Sequence, residues 1–243
     1  MKLANNIARW IRKEVKKAGA KGVVLGVSGG IDSACVAILS KIALGRNVLG
    51  LVLPCQSDPK DERLAMLLAK KFHIKIEKVA LDSVFKEFRN ILPRARGLSL
   101  ANIKPRLRMI SLYYFASKMN YLVAGSGNKS ELTIGYFTKY GDGGVDILPI
   151  GGLLKTQVRE LAKELNIHQE IIDRPPTAGL WQGQTDESEM GITYENLDRA
   201  ILAIKSANYK KFTSSQIISK VKNMIKCSQH KRDYIPTYKI GKR

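Results

Sequence analysis

The chain of 243 residues is 44% hydrophobic and 26% charged, a globular composition whose length suits one large domain able to bury most of its apolar surface. Its three cysteines, Cys35, Cys55 and Cys227, form no C-x-x-C pair, which excludes a zinc knuckle, an iron–sulfur cluster and a dithiol redox site and suits a reducing, cytoplasmic setting. The formal net charge is +20, and from residue 205 to the end eleven Lys and Arg face one acid, Asp233; this fits a nucleic-acid surface, a field for small polyanions, or plain solubility.

Residues 1–21 lack an apolar core ahead of a cleavage site and read as a basic amphipathic helix, not a signal peptide. Residues 22–27 (GVVLGV) are a short apolar run before a glycine turn, the pattern of a buried strand. Apolar residues at helical spacing follow over 31–44. Residues 47–53 (NVLGLVL) form a second buried strand, ended by Pro54. A helix is expected over 58–72, with Asp58 as N-cap and Pro59 at its first position. Residues 74–80 alternate as a third strand, helices follow over 83–92 and 107–118, and 121–125 (YLVAG) is a fourth strand. Residues 135–149 are rich in glycine and aromatics. A helix over 155–165 is stopped before Arg174-Pro175-Pro176. Residues 180–190 are polar, acidic and aperiodic, and are expected to be a mobile loop. Helices over 194–205 and 214–226 come last. No run approaches the ~20 apolar residues of a membrane span. Strands alternating with helices predict an α/β fold, a mostly parallel sheet with helices on both faces, in a single domain over 1–243.

The connection Gly26-Val27-Ser28-Gly29-Gly30-Ile31-Asp32-Ser33 joins the first strand to the helix after it. Gly29 and Gly30 let the backbone turn tightly and approach a ligand. Ser28 and Ser33 add hydroxyl donors, and the helix beginning near Ile31 points free N–H groups at the loop, a ready anion site. Asp32 would repel a bare phosphate but fits there if Mg2+ sits between carboxylate and phosphate. The loop is not a Walker A sequence, since no Gly-Lys-[Ser/Thr] follows, and G-x-G-x-x-G fails at Gly125 as well. Two glycines alone are also compatible with a plain strand–turn–helix connection.

S-G-G-x-D-S after a first buried strand resembles the pyrophosphatase loop of the N-type ATP pyrophosphatases. Further along stand Asn102-Ile-Lys-Pro-Arg106-Leu-Arg108-Met, Gly125-Ser-Gly-Asn-Lys-Ser-Glu131, Gly135-Tyr-Phe-Thr-Lys139-Tyr-Gly-Asp142-Gly-Gly-Val-Asp146, Leu153-Leu-Lys155-Thr, Pro175-Pro-Thr177-Ala-Gly-Leu-Trp181 and His230-Lys231-Arg232. Together they resemble NAD synthetase, from about Val24 to Arg232. The resemblance implies a Rossmann-like fold of the adenine nucleotide alpha hydrolase type. It implies an ammonia-dependent ligase that makes NAD from deamido-NAD and ATP through an adenylated nicotinate, releasing AMP and pyrophosphate. About twenty residues before the ATP loop leave no room for a glutaminase domain, which points to the short, ammonia-dependent class. Carried over by motif, Gly26, Val27, Ser28, Gly29, Gly30, Ile31, Asp32 and Ser33, with Ser126 and Thr177, would hold ATP. Asp32 and Glu131 would bind Mg2+. Lys155 would neutralise charge as pyrophosphate leaves, and Asp142 would steer ammonium or accept its proton. Arg106, Lys139, Asp146, His230 and Lys231 would contact deamido-NAD. The resemblance also implies a homodimer with deamido-NAD near the subunit boundary, and closure of mobile segments near 180–190 and 206–231. No nucleic-acid or membrane partner is expected.

Each residue has a plainer reading. Arg106 and Lys139 taken singly are solvated charges, Asp142 and Asp146 are turn residues, and Glu131 caps a helix end. Ser126 stands where the family commonly has threonine. The loop over 54–60 departs from the family pattern, and Cys55 in it reads as a packing residue rather than a nucleophile. Two other functions compete: a tRNA-modifying adenylating enzyme of the same superfamily, which leaves the stretch from Lys139 to Asp146 unexplained, and a nucleic-acid binder, which leaves Asp32, Glu131 and the glycine loop without a role.

Overall fold

A computed structural model describes residues 1–95, 97–181, 183–206 and 214–239. In chain order the elements are α1 (Lys2–Lys17), β1 (Gly22–Gly26), α2 (Ile31–Leu44), β2 (Val48–Val52), α3 (Pro59–Phe72), β3 (Lys75–Lys78), α4 (Asp82–Ile91), α5 (Leu98–Ala101) and α6 (Ile103–Met119). There follow β4 (Tyr121–Val123), α7 (Lys129–Ile134), α8 (Lys155–Glu164), α9 (Gln169–Ile172), α10 (Asp186–Met190), α11 (Tyr194–Ser206), α12 (Ser215–Cys227) and α13 (Gln229–Arg232). The four strands form one parallel sheet in the order β3-β2-β1-β4, with Val24 opposite Leu49 and Val123.

Both faces of the sheet are covered, as the near-continuous apolar runs of β1 and β2 require of a parallel sheet. Alternate side chains go to opposite sides. Val23, Leu25, Val48 and Val52 pack with Ile11 of α1, Ile38 of α2, Leu64 of α3 and Leu161 of α8. Val24, Leu49 and Leu51 pack with Phe85 of α4 and Leu107 of α6. A third apolar cluster joins α7, α11 and α12 through Ile134, Leu197, Ile201 and Val221, away from the sheet. The architecture is therefore the expected α/β domain.

Several boundaries move. Helix α6 begins at Ile103, earlier than expected, because Pro105 falls in its first turn, where the N–H it lacks has no partner inside the helix. Strand β3 shrinks to four residues at the sheet edge. The aperiodic stretch 180–190 ends in helix α10, whose contacts are polar bonds and one apolar anchor rather than an apolar stripe. Gln184, Asp186 and Met190 are buried there. Of the segment 206–231, residues 207–213 lie outside the described residues, and α12 packs Ile218 and Val221 into the third cluster.

β1 has β2 and then β3 on one side and β4 on the other, so the strand order reverses next to it. Ligands of open α/β sheets bind outside the carboxyl ends of the strands at such a reversal. The loop from Ser28 to Ser33 leaves the end of β1 there, and Ser126 follows β4.

Candidate active site

A cavity of about 650 Å³ opens at this point. It is walled by the loop after β1, the start of α6, the stretch 135–145, the stretch 174–180 and the end of α13. The loop itself is cross-tied. Ser33 Oγ donates to Gly30 O (3.0 Å) and accepts from Ser28 N (3.2 Å), while Ser28 Oγ lies 3.0 Å from Ser33 Oγ and accepts from Gly30 N (3.3 Å). Gly30 is the N-cap of α2 and offers no capping side chain, so the first amides of α2 are left for a ligand. Gly29 has φ +74°, and a Cβ there would come within 2.5 Å of Asp61 O on α3. A Cβ on Gly26 would meet no protein atom within 4 Å, so that glycine keeps open space at the cavity wall.

Asp32, the second residue of α2, meets two groups from distant connections. Asn128 Nδ2 donates to its Oδ1 (3.0 Å), and Lys155 Nζ forms an ion pair with its Oδ2. Glu131 Oε1 lies 3.6 Å from the same Nζ. Glu131 is also the helix cap of the plainer reading. Asn128 and Glu131 form a reciprocal capping box at the start of α7, closed by Gly135 at the other end. The Lys155 side chain is only 2% exposed and stacks 4.9 Å above the Tyr194 ring. Burial opposes its charge, but the carboxylates of Asp32 and Glu131 outweigh that and hold the ammonium protonated. Burial, with the Asp32 charge adding, pushes the Glu131 carboxyl well above the usual carboxylate range, against the pull of Lys155. Tyr194 OH donates to Asp186 Oδ2 (2.8 Å) and lies 3.2 Å from Glu131 Oε1, and Tyr136 OH donates to Glu189 Oε2 (2.7 Å).

Two carboxylates aimed at one cationic point are the oxygen donors Mg2+ takes beside phosphates. No group of three or more His, Cys, Asp or Glu that could hold a metal on its own exists among the described residues. The donor set therefore fits a cation that arrives with phosphate oxygens.

At the other end of the cavity the tail is tied to the stretch 135–139. Lys231 Nζ donates to Gly135 O (2.9 Å) and Phe137 O (2.8 Å), Lys139 Nζ to His230 O (2.7 Å), and Arg106 to Lys139 O (3.4 Å). Asp142 Oδ1 accepts from Thr138 N (2.9 Å). Its side chain lines the cavity, and partial desolvation by the surrounding chain pushes its carboxyl up, opposed by that amide and by Lys231. Thr177 and Ser126 also line the cavity. Of the residues expected at the site, all but Gly29 and Asp146 form its wall. Gly29 packs behind the loop. Asp146 instead accepts from Val123 N (2.7 Å) and Tyr113 OH (2.9 Å), which fastens the end of β4 to α6.

The model of the family described as NAD synthase matches residues 3–235. The chain belongs to that family. A relative from Carboxydothermus hydrogenoformans, named NH(3)-dependent NAD(+) synthetase, is 47% identical over 231 residues, which cover 93% of this chain and 92% of that protein. Among solved structures, an NMN synthetase from Francisella tularensis matches at TM-score 0.91 and 34% identity. An NH3-dependent NAD synthetase from Campylobacter jejuni in complex with the nitrate ion matches at 0.86 and 32%. Each of these matches covers 98% of both chains.

Sequence reasoning passed over Asn128, Tyr136, Asp186 and Tyr194. Asn128 carried a signal, the Asn-x-x-Glu capping pattern ahead of an apolar residue. Asp186 falls within residues 182–192, which share the family resemblance, but the motif assigns it no role, and Tyr194 carries no signal, because its role comes from burial against Lys155 and Glu131. Cys55 is fully buried against α4 and α6, and burial pushes its thiol up, as suits a packing residue.

Proposed function

We propose that the chain makes NAD from deamido-NAD, ATP and ammonia. What carries the reading is the meeting of Asp32, Glu131 and Lys155 beside the phosphate loop at the sheet's reversal point, in a chain of the NAD synthase family. A nicotinate carboxylate oxygen attacks the α-phosphorus of ATP, the bond to the bridging oxygen breaks, and pyrophosphate leaves. Ammonia then attacks the acyl carbon, AMP leaves, and the surplus proton passes to a base.

In this reading the amides at the start of α2 and the Ser28 and Ser33 hydroxyls bind the ATP phosphates. Ser126 and Thr177 contact ATP. Mg2+ would be held by Asp32 and Glu131 and would neutralise phosphate charge. Lys155, kept protonated by the Asp32 and Glu131 carboxylates against the cost of burial, stabilises the charge that develops on departing pyrophosphate. Asp142 takes the proton from ammonium. Arg106, Lys139, His230 and Lys231 receive deamido-NAD, and Asp146 positions that wall from behind. The working unit is a homodimer.

Purified protein given ATP, Mg2+, ammonium and deamido-NAD is expected to release NAD, AMP and pyrophosphate in equal amounts, with little use of glutamine. Asp32→Asn and Glu131→Gln should each lower pyrophosphate release about 100-fold or more; near-normal release from either would refute the metal assignment. The mononucleotide counterpart of deamido-NAD belongs in the same assay, because one structural neighbour is named NMN synthetase. Preference for it would overturn the dinucleotide but keep the chemistry. No pyrophosphate with either acceptor would overturn the whole reading.

A further inference from the structure

Asp198 lies on α11 and is 3% exposed. Its Oδ1 accepts from Ser130 Oγ. Its Oδ2 accepts from Thr156 N and from Thr156 Oγ1, both at 2.9 Å. Ser130 Oγ in turn accepts from Lys155 N at 2.9 Å. Ser130 is the second residue of α7, and Lys155 and Thr156 are the first two of α8.

The N-cap of α8 is Leu154, whose side chain has no oxygen to offer the helix's first amides. One buried carboxylate from a third helix meets both needs. It takes the Thr156 amide directly and the Lys155 amide through Ser130. Its negative charge also sits at the positive end of α8. Glu131 is the neighbour of Ser130, and Lys155 is the neighbour of Thr156. The two helix starts that present Glu131 and Lys155 are therefore fastened to one group that touches neither side chain.

We propose that Asp198 is a positioning residue for the reaction, fixing Lys155 against Glu131 and Asp32 by capping α8 from α11. The proposal rests on the reading that Lys155 acts in adenylation. It also gives α11 a task beyond packing, since Leu197 and Ile201 on the same helix belong to the third cluster.

Asp198→Asn keeps shape and one acceptor but turns an N–H toward groups that donate. The helix start then shifts, and a displacement of about 1 Å at a charged catalytic group costs on the order of 100-fold in rate. Asp198→Asn is expected to lower kcat for pyrophosphate release 10- to 100-fold while KM for ATP and deamido-NAD stays within about twofold. In a Lys155→Ala background the same change should cost less than about twofold, because the group it positions is gone. Equal losses in both backgrounds, or an unchanged kcat with a lowered Tm, would overturn the proposal. Full activity in Lys155→Ala alone would instead overturn the reading of Lys155, so the two failures differ. Ser130→Ala severs the link to the Lys155 amide and leaves Asp198 in place. It should lower kcat in the same direction by a smaller factor. It decides the matter if Asp198→Asn does not fold or Lys155→Ala is too slow to read: an unaltered kcat in Ser130→Ala overturns the proposal.

Discussion

Asp142 shows how a turn residue acquires chemistry from its surroundings. Its carboxylate accepts the Thr138 amide, which any turn could arrange, yet it opens into the cavity near Lys231. Desolvation raises its carboxyl above the ordinary value of 3.8. An acid raised in the folded state binds more protons folded than unfolded. Its contribution to stability is thus present below that ordinary value and is lost as pH rises through the raised one. The sign for activity is opposite, since only the ionised carboxylate can take a proton from ammonium. The ammonium-dependent step is therefore expected to slow as pH falls through the raised value. Asp142→Asn keeps the Thr138 bond, because the amide oxygen still accepts. It should leave pyrophosphate release intact, lower kcat/KM for ammonium about 100-fold and remove that acidic limb. Steady-state rates with varied ammonium across pH check this, and an unshifted limb in Asp142→Asn would assign the proton to another group.

The helices α2 and α3 are legible in the sequence. Apolar spacing gave Ile31–Leu44, and Asp58 with Pro59 marked the start of α3, where Asp58 Oδ1 accepts from Lys60 N (2.9 Å). The short helices α5, α7, α9, α10 and α13 were not legible, because four to six residues hold too little periodicity to register. The same limit hid the support of the site, since Asp198, Asp186 and Tyr194 act across elements far apart in sequence. Two glycines of the loop serve different ends. Gly29 is required by positive φ and by the approach of α3, whereas Gly26 borders open cavity. Gly29→Ala should cost about 2 kcal/mol or more of stability, from left-handed backbone strain plus the clash with Asp61 O. Gly26→Ala should change Tm by no more than about 2 °C and weaken ATP binding about tenfold or more. Thermal melts with titration calorimetry separate the two; equal Tm losses would sink the distinction.

At the scale of the whole molecule, the proposed dimer has to reconcile an apolar face with a strongly positive chain. Ile110 and Tyr114 on α6 are 57% and 62% exposed, and Phe88, Ile91, Leu92 and Leu98 are exposed on the neighbouring stretch of chain. Arg106, Ile110 and Tyr114 are spaced four apart, so they form one stripe along α6. That stripe runs from the cavity wall at Arg106 outward to Tyr114. A second copy packed on it would lie beside the proposed deamido-NAD contacts, which agrees with the subunit-boundary placement that the family resemblance implies. Bringing together two chains that each carry +20 opposes association, and salt screens this over about 8 Å at physiological strength. Apolar burial is favoured at every salt concentration. Dimer affinity is therefore expected to rise with ionic strength, the reverse of an interface held by opposite charges. Ile110→Asp with Tyr114→Asp adds two buried, unpaired charges per subunit and should yield a monomer. If deamido-NAD binds at the boundary, kcat/KM for it should fall at least about tenfold in that monomer, which stays folded because both side chains are exposed in one chain, while its Tm falls by what association contributed and no longer depends on protein concentration. Light scattering at assay concentration, over a range of salt, is the measurement. A wild-type monomer with full activity, or a dimer that weakens as salt is added, would refute this account of the interface.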